Sequence, residues 1–179
     1  MRKIMTIVLI CISSVLCLCR PYGFFKSDEQ IAKENIENVL AAIQNEDHDK
    51  IKSMFSKSVL EQQNIDESIY ELFEYFEGTV ESYDDGAGPY VATQKDDSFV
   101  CQTMESSVDI KTNICEYRIA MQYVVIGAAE DIGIVSIYII KSADDPYSDY
   151  RYSGDGNFLP GIHIGVPHYR PNYKSTTDS

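Results

Sequence analysis

Asp109, Tyr117, Arg118, Tyr123 and Tyr138 recur at strand spacing through the middle of the chain, with Glu116 beside them. A carboxylate in an apolar cavity next to a hydroxyl donor is the equipment of proton-transfer enzymes. Desolvation raises the carboxyl pKa, and the hydroxyl stabilises an oxyanion. Strand parity splits the set. If Tyr117 and Tyr123 face a cavity, Glu116 and Arg118 face the opposite way. Parity alone leaves open which face lines the cavity, and the competing account is an exposed polar strand face over a tyrosine-containing core. Tyr117, Tyr123, Tyr138, Asp109 and Arg118 are thus the candidate cavity or ligand-binding residues, and no catalytic residue is assigned.

Other chemistries find less support. The three histidines, His48, His163 and His168, form no HExxH or Cys/His cluster and read as surface residues, so neither metal nor cofactor is expected. Two acidic stretches, residues 142–146 and 153–157, offer oxygen ligands for Ca²⁺ but lack EF-hand spacing, and turn chemistry explains them. No serine-nucleophile elbow or phosphate loop occurs. Tyr147, Tyr150, Tyr152, Tyr169 and Tyr173 cluster near the end. Amphipathic tyrosines suit a recognition surface and serve equally to cover the open side of a sheet.

The elements that must position these residues follow from periodicity. Ile31, Ile36, Val39, Leu40 and Ile43 predict a helix over 27–46, with Ser27 and Gln30 as a capping box. Ile51, Met54 and Phe55 predict a second helix over 47–57, with Val59 and Leu60 packing in the connection. Ile69, Leu72, Phe73 and Phe76 predict a third over 66–77, stopped by Gly78. The period then changes. Strands are expected at 79–83, 99–111, 114–126 and 132–141, with a loop at 84–89. The strand at 132–141 is apolar on both faces and should be covered on both. Residues 160–167 form a short apolar piece that docks on the domain, and 168–179 a loose polar tail. Helices first and strands after imply α+β, with N-terminal helices packed on a curved antiparallel sheet.

Charge divides the 179-residue chain in two. The first 26 residues carry four basic and no acidic side chains, and the remaining 153 carry eleven basic and 28 acidic, a net of −17. An acidic body argues against nucleic-acid binding. Ile4 to Cys19 is a 16-residue uncharged run behind Arg2 and Lys3. That is the pattern of an export signal, with an uncleaved membrane anchor as the alternative. Cleavage before Cys19 leaves 161 residues with a charge of −15. A hairpin centred on Thr112 sets Cys115 near Val108 or Asp109, seven residues from Cys101. That offset exceeds disulfide reach and predicts two buried thiols.

Several segments together carry a family resemblance. They are the export run ending in Cys19, the helix segment Ile36–Asp47, Lys52–Ser56, Ile69–Gly78, Gly133–Tyr138 and Pro160–Ile162. The chain resembles a family of small Gram-positive bacterial lipoproteins of unknown function. That family is similar to the nuclear transport factor 2-like, cone-shaped α+β superfamily. The resemblance spans roughly residues 25–166. It implies a lipoprotein signal or anchor over 1–19, lipidation at Cys19, a single domain over 27–167 and a flexible tail over 168–179. It supplies no catalytic residues.

Two functional expectations follow. The first is a non-catalytic, exported module anchored to the membrane by its N-terminus, binding a small molecule or a protein partner. The second is a cone-fold isomerase or cyclase using a buried carboxylate and a tyrosine. A third reading is a purely structural surface protein. The first predicts no ionisable residue facing the cavity. The second predicts a carboxylate within hydrogen-bond distance of a tyrosine in a closed pocket.

Overall fold

A computed structural model describes residues 26–84, 87–96, 99–148 and 158–168. The export run, the acidic stretch 153–157 and residues 169–179 lie outside the described residues.

Helix α1, Asp28–Gln44, begins where its capping chemistry dictates. Ser27 Oγ accepts from the Gln30 N–H at 3.3 Å, and Gln30 Oε1 accepts from the Ser27 N–H at 3.1 Å. Its buried stripe is Ala32, Ile36, Val39, Leu40, Ala42 and Ile43.

The second predicted helix is two. Helix α2, His48–Met54, is capped by Asp47, whose carboxylate accepts from the Lys50 N–H. The chain is extended at Phe55, where it bridges Ile134, and the Ser56 N–H donates to the Ile134 carbonyl at 2.9 Å. Ser56 then caps α3, Lys57–Gln62. A serine able to cap a new helix, next to a strand that takes its N–H, outweighs continuation of the first.

Gly133 allows this close approach. It holds φ +132°, and a Cβ there would sit 2.8 Å from Ser56 N and 2.9 Å from the Met54 carbonyl oxygen. Helix α4, Asp66–Tyr75, buries Ile69 and Leu72 completely and ends two residues earlier than expected.

Among the described residues six strands follow: β1 Val80–Tyr83, β2 Ala87–Lys95, β3 Val100–Thr112, β4 Glu116–Ile126, β5 Gly133–Lys141 and β6 Gly161–Ile164. The spatial order is β1-β3-β4-β5-β6, and β2 shares β3's outer edge with β1. Register shifts between Gln102 and Thr103 and between Gln122 and Tyr123 add residues to one strand of a pair and bend the sheet.

Two expectations change here. The sheet is mixed rather than antiparallel, because β6 runs parallel to β5. The predicted loop at 84–89 runs into β2, because Tyr90-Val91-Ala92-Thr93 has strand chemistry that the Gly and Pro residues before it obscure. The architecture is α+β, with the helices packed against a curved, unclosed sheet.

The core lies between helices and sheet. Met104, Ile110, Tyr117, Ile119, Met121, Ile137 and Ile139 are at most 1% exposed and pack with Ile36, Val39, Ile51, Ile69 and Leu72. β5 is buried on both faces, as its sequence predicted. Ile137 and Ile139 belong to the helix-facing core, while Ser136, Tyr138 and Ile140 are buried on the other side.

Candidate functional site

The candidate residues divide between the two faces of the sheet. β4 is flanked by β3 and β5, and residues directly opposite share a face. Tyr117 pairs with Ile110, Ile119 with Val108, Met121 with Ser106 and Tyr123 with Met104. This row faces the helices. Arg118 pairs with Asp109, Ala120 with Ser107 and Gln122 with Glu105. On the β5 side Ala120 pairs with Tyr138 and Gln122 with Ser136. This row faces away. Tyr117 and Tyr123 thus share one face, and Asp109, Arg118 and Tyr138 the other.

Tyr117 is fully buried and bonded at both ends of its chemistry. Its hydroxyl accepts from the Glu77 N–H at 2.7 Å and donates to the Tyr75 carbonyl at 3.0 Å. Its ring stacks on Phe76 at 4.7 Å. Burial pushes its hydroxyl pKa up, reinforced by Cys115. The hydroxyl therefore closes the end of α4 onto the sheet. Tyr123, 2% exposed, is raised by burial too. Asn35 and Ser106 lie near enough to pull the other way, yet neither the Tyr123 nor the Ser106 hydroxyl has a hydrogen bond of regular geometry.

The opposite face holds a buried ion network. Arg118 Nε donates to Asp109 Oδ1 at 2.8 Å and Nη2 to Asp109 Oδ2 at 3.3 Å. Nη1 donates to Asp145 Oδ2 at 2.9 Å and to the Tyr147 carbonyl at 3.3 Å, and Nη2 also to the Ser148 carbonyl at 3.0 Å. A guanidinium has five N–H donors, and these contacts use all five. Desolvation opposes the charge, but Asp109 and Asp145 outweigh it and raise the arginine pKa further. Asp145 Oδ1 takes the Tyr147 N–H at 2.9 Å, so this acidic loop is a turn clamped to the sheet.

Asp145 was not among the sequence candidates. Nothing in a Ser-Ala-Asp-Asp-Pro loop says which aspartate turns inward. Nearby, Gln122 Nε2 donates to Glu105 Oε1 at 2.9 Å, and Glu105 is 9% exposed. The alternation of β3 does place Glu105 on the same face as Asp109.

Residues 38–142 match a family described as a domain of unknown function, DUF5104. The chain belongs to the DUF5104 family. No curated protein and no solved structure matches it.

The histidines of this DUF5104 chain stand outside that ion network. His48 stacks on Tyr70 at 4.8 Å, half-buried beside Asp66. His163 stacks on Tyr138 at 4.3 Å, and its Nε2 meets the Leu159 carbonyl at 2.9 Å. His168 is 5% exposed against Phe158. The expectation of surface histidines therefore fails for His168, which the docked C-terminal segment buries. Among the described residues no group of His, Cys, Asp and Glu could hold a metal ion.

Lys111 pairs with Glu116, which turns the hairpin at 113–114 and puts Cys115 opposite Thr112, while Cys101 pairs with Gln94. Both thiols are free and half-buried rather than buried, because each stands near a strand end. Of the tyrosines near the C-terminus, Tyr147 is described, and Tyr150, Tyr152, Tyr169 and Tyr173 lie outside the described residues.

Proposed function

We propose that the chain is a non-catalytic, exported binding module with a nuclear transport factor 2-like cone shape. It is held at the membrane by its N-terminal segment through lipidated Cys19, and it takes a small molecule or a protein partner. One observation carries the non-catalytic reading. Asp109 and Arg118 point away from the helix-facing side and are engaged with each other there. Among the described residues the helix-facing positions of β3 and β4 hold tyrosine, serine, threonine, methionine and aliphatic side chains between Met104 and Tyr123.

The isomerase or cyclase alternative needs a carboxylate against a tyrosine in a closed pocket. Tyr117 spends its hydroxyl on backbone groups. The Tyr83 hydroxyl does meet Glu37 at 2.8 Å, but this pair is exposed and lacks the desolvation that chemistry requires. The anchoring reading rests on the uncharged run ending at Cys19. Among the described residues no helix is long and apolar enough to cross a membrane.

Metabolic labelling with a fatty-acid analogue in a Gram-positive host tests the anchor. Label and membrane recovery are expected for the full chain and lost in Cys19→Ala, and an unlabelled full chain rejects lipidation. Native mass spectrometry of the gently extracted chain tests binding. A retained non-covalent adduct or partner is expected, and a bare chain overturns the binding reading.

A further inference from the structure

Among the described residues, four of the eight exposed large apolar side chains gather at one end of the sheet. Phe99, Val100, Ile126 and Ile132 are 45, 38, 47 and 49% exposed. Val100 opens β3, Ile126 closes β4, and Ile132 directly precedes β5. Gln102 pairs with Ile126 and Gly133 with Val124, so all four belong to one end of the sheet. The strands stay in contact to that tip, since a Cβ on Gly127 would lie 3.9 Å from Cys101 Sγ. The opposite end, at the β3–β4 turn, exposes Ile114. A gathered apolar surface rimmed by polar groups marks an interaction site, whereas a single exposed residue needs no explanation.

Helix α1 decides which end faces the rest of the chain. Its last residue, Gln44, donates to the Gly78 carbonyl at 2.9 Å and accepts from the Val80 N–H at 3.0 Å. Val80 pairs with Thr112, at the Ile114 end. Earlier along the helix, Glu37 meets Tyr83, which pairs with Ile110, and Asn35 lies near Tyr123. Running back along α1 therefore leads from the Ile114 end toward Val100 and Ile126. The start of α1 therefore lies toward the apolar end and away from the Ile114 end. Upstream, only residues 20–27 separate Cys19 from α1. Eight residues reach at most about 29 Å. A chain held in a bilayer by the segment ending at Cys19 brings this end to the lipid, not the Ile114 end.

We propose that Phe99, Val100, Ile126 and Ile132 form a lipid-docking face that seats the domain end-on against the bilayer. The proposal rests on the anchoring reading above. The four side chains enter the boundary between headgroups and acyl chains, which removes apolar surface from water. Asp96, Glu130 and Asp131 flank them in the sequence and favour a zwitterionic surface over an anionic one. The −17 charge of the body makes electrostatic adsorption on an anionic surface a poor alternative.

The chain contains no tryptophan, so single reporters can be placed without background. The full-length lipidated protein is prepared as Phe99→Trp, Ile126→Trp and Ile114→Trp, each exposed in the native fold. All three are bound to phosphatidylcholine vesicles with and without brominated acyl chains. F99W and I126W are expected to shift their emission to the blue and to lose at least half of it to bromine, while I114W keeps its own. Vesicle-bound protein in which F99W and I126W stay unquenched overturns docking and leaves anchoring intact. Protein that stays off the vesicles overturns both. A blue shift of F99W that appears without lipid and grows with protein concentration overturns lipid docking in favour of a second copy of the chain.

Discussion

Arg118 and Asp109 stand directly opposite each other on β4 and β3 and are joined by two N–H···O bonds, at 2.8 and 3.3 Å. The remaining donors reach over to Asp145 and the carbonyls that follow it. The pair therefore fastens the segment after β5 to the exterior of the sheet.

That fastening gives the first prediction. Arg118→Ala leaves Asp145, whose side chain is 3% exposed, buried without a counter-charge. Removing one partner of a buried pair costs about 3–5 kcal/mol. Arg118→Lys should recover only part of this, because an ammonium has three donors and no planar fork. Urea unfolding with an unchanged slope measures both. An Arg118→Ala midpoint equal to that of the parent would sink the role assigned here.

Tyr117 supplies the second. Tyr117→Phe strands the Glu77 N–H and the Tyr75 carbonyl, at an expected cost of about 1–3 kcal/mol. Exchange of the Glu77 amide should quicken in the same variant. Burial raises the pKa of both Tyr117 and Tyr123. The stability they contribute is complete below the unfolded tyrosine pKa of about 10 and is lost as pH rises beyond it. Tyrosinate absorbance should therefore show these two ionising only as the fold opens.

The third concerns acid. Lys52 Nζ sits 2.7 and 2.9 Å from the two oxygens of Asp66 and holds its pKa below the ordinary value. A carboxylate with a lowered folded pKa contributes stability above its unfolded pKa of about 3.9, and that contribution disappears as pH falls through the folded value. In Lys52→Met the Asp66 carboxyl should titrate at a higher pH when followed by NMR. An unmoved titration would show that the ion pair is not formed in solution.

What the sequence revealed depended on how local the cause was. The Ser27–Gln30 box, the stripe of α1 and the two-faced burial of β5 rest on spacing within one element, and all were legible. The parity of β4 was legible as well, since Tyr117 and Arg118 do point to opposite faces. The break at Phe55 was not, because its cause is a hydrogen bond to Ile134 far along the chain. Neither was β6. Its four residues become a strand only by borrowing the free edge of β5. At the candidate site, the sequence named both members of the Asp109–Arg118 pair without showing that they pair. Asp145 escaped notice because a turn, rather than a periodic element, delivers it.

The parallel pairing of β6 has a consequence for the order of assembly. All other described strands of the sheet are complete by Lys141, and Phe55 and Ser56 meet the outer edge of β5 at Ile134, yet from Ser136 to Ile139 that edge gains its partner only when Gly161–Ile164 arrives. Until that segment docks, Ser136–Ile139 presents unpaired N–H and C=O groups beside apolar side chains. Such an edge is a template for pairing with another chain. Strand β6 acts as a built-in guard, and the interval before it docks leaves this edge open to joining a neighbour instead of its own chain.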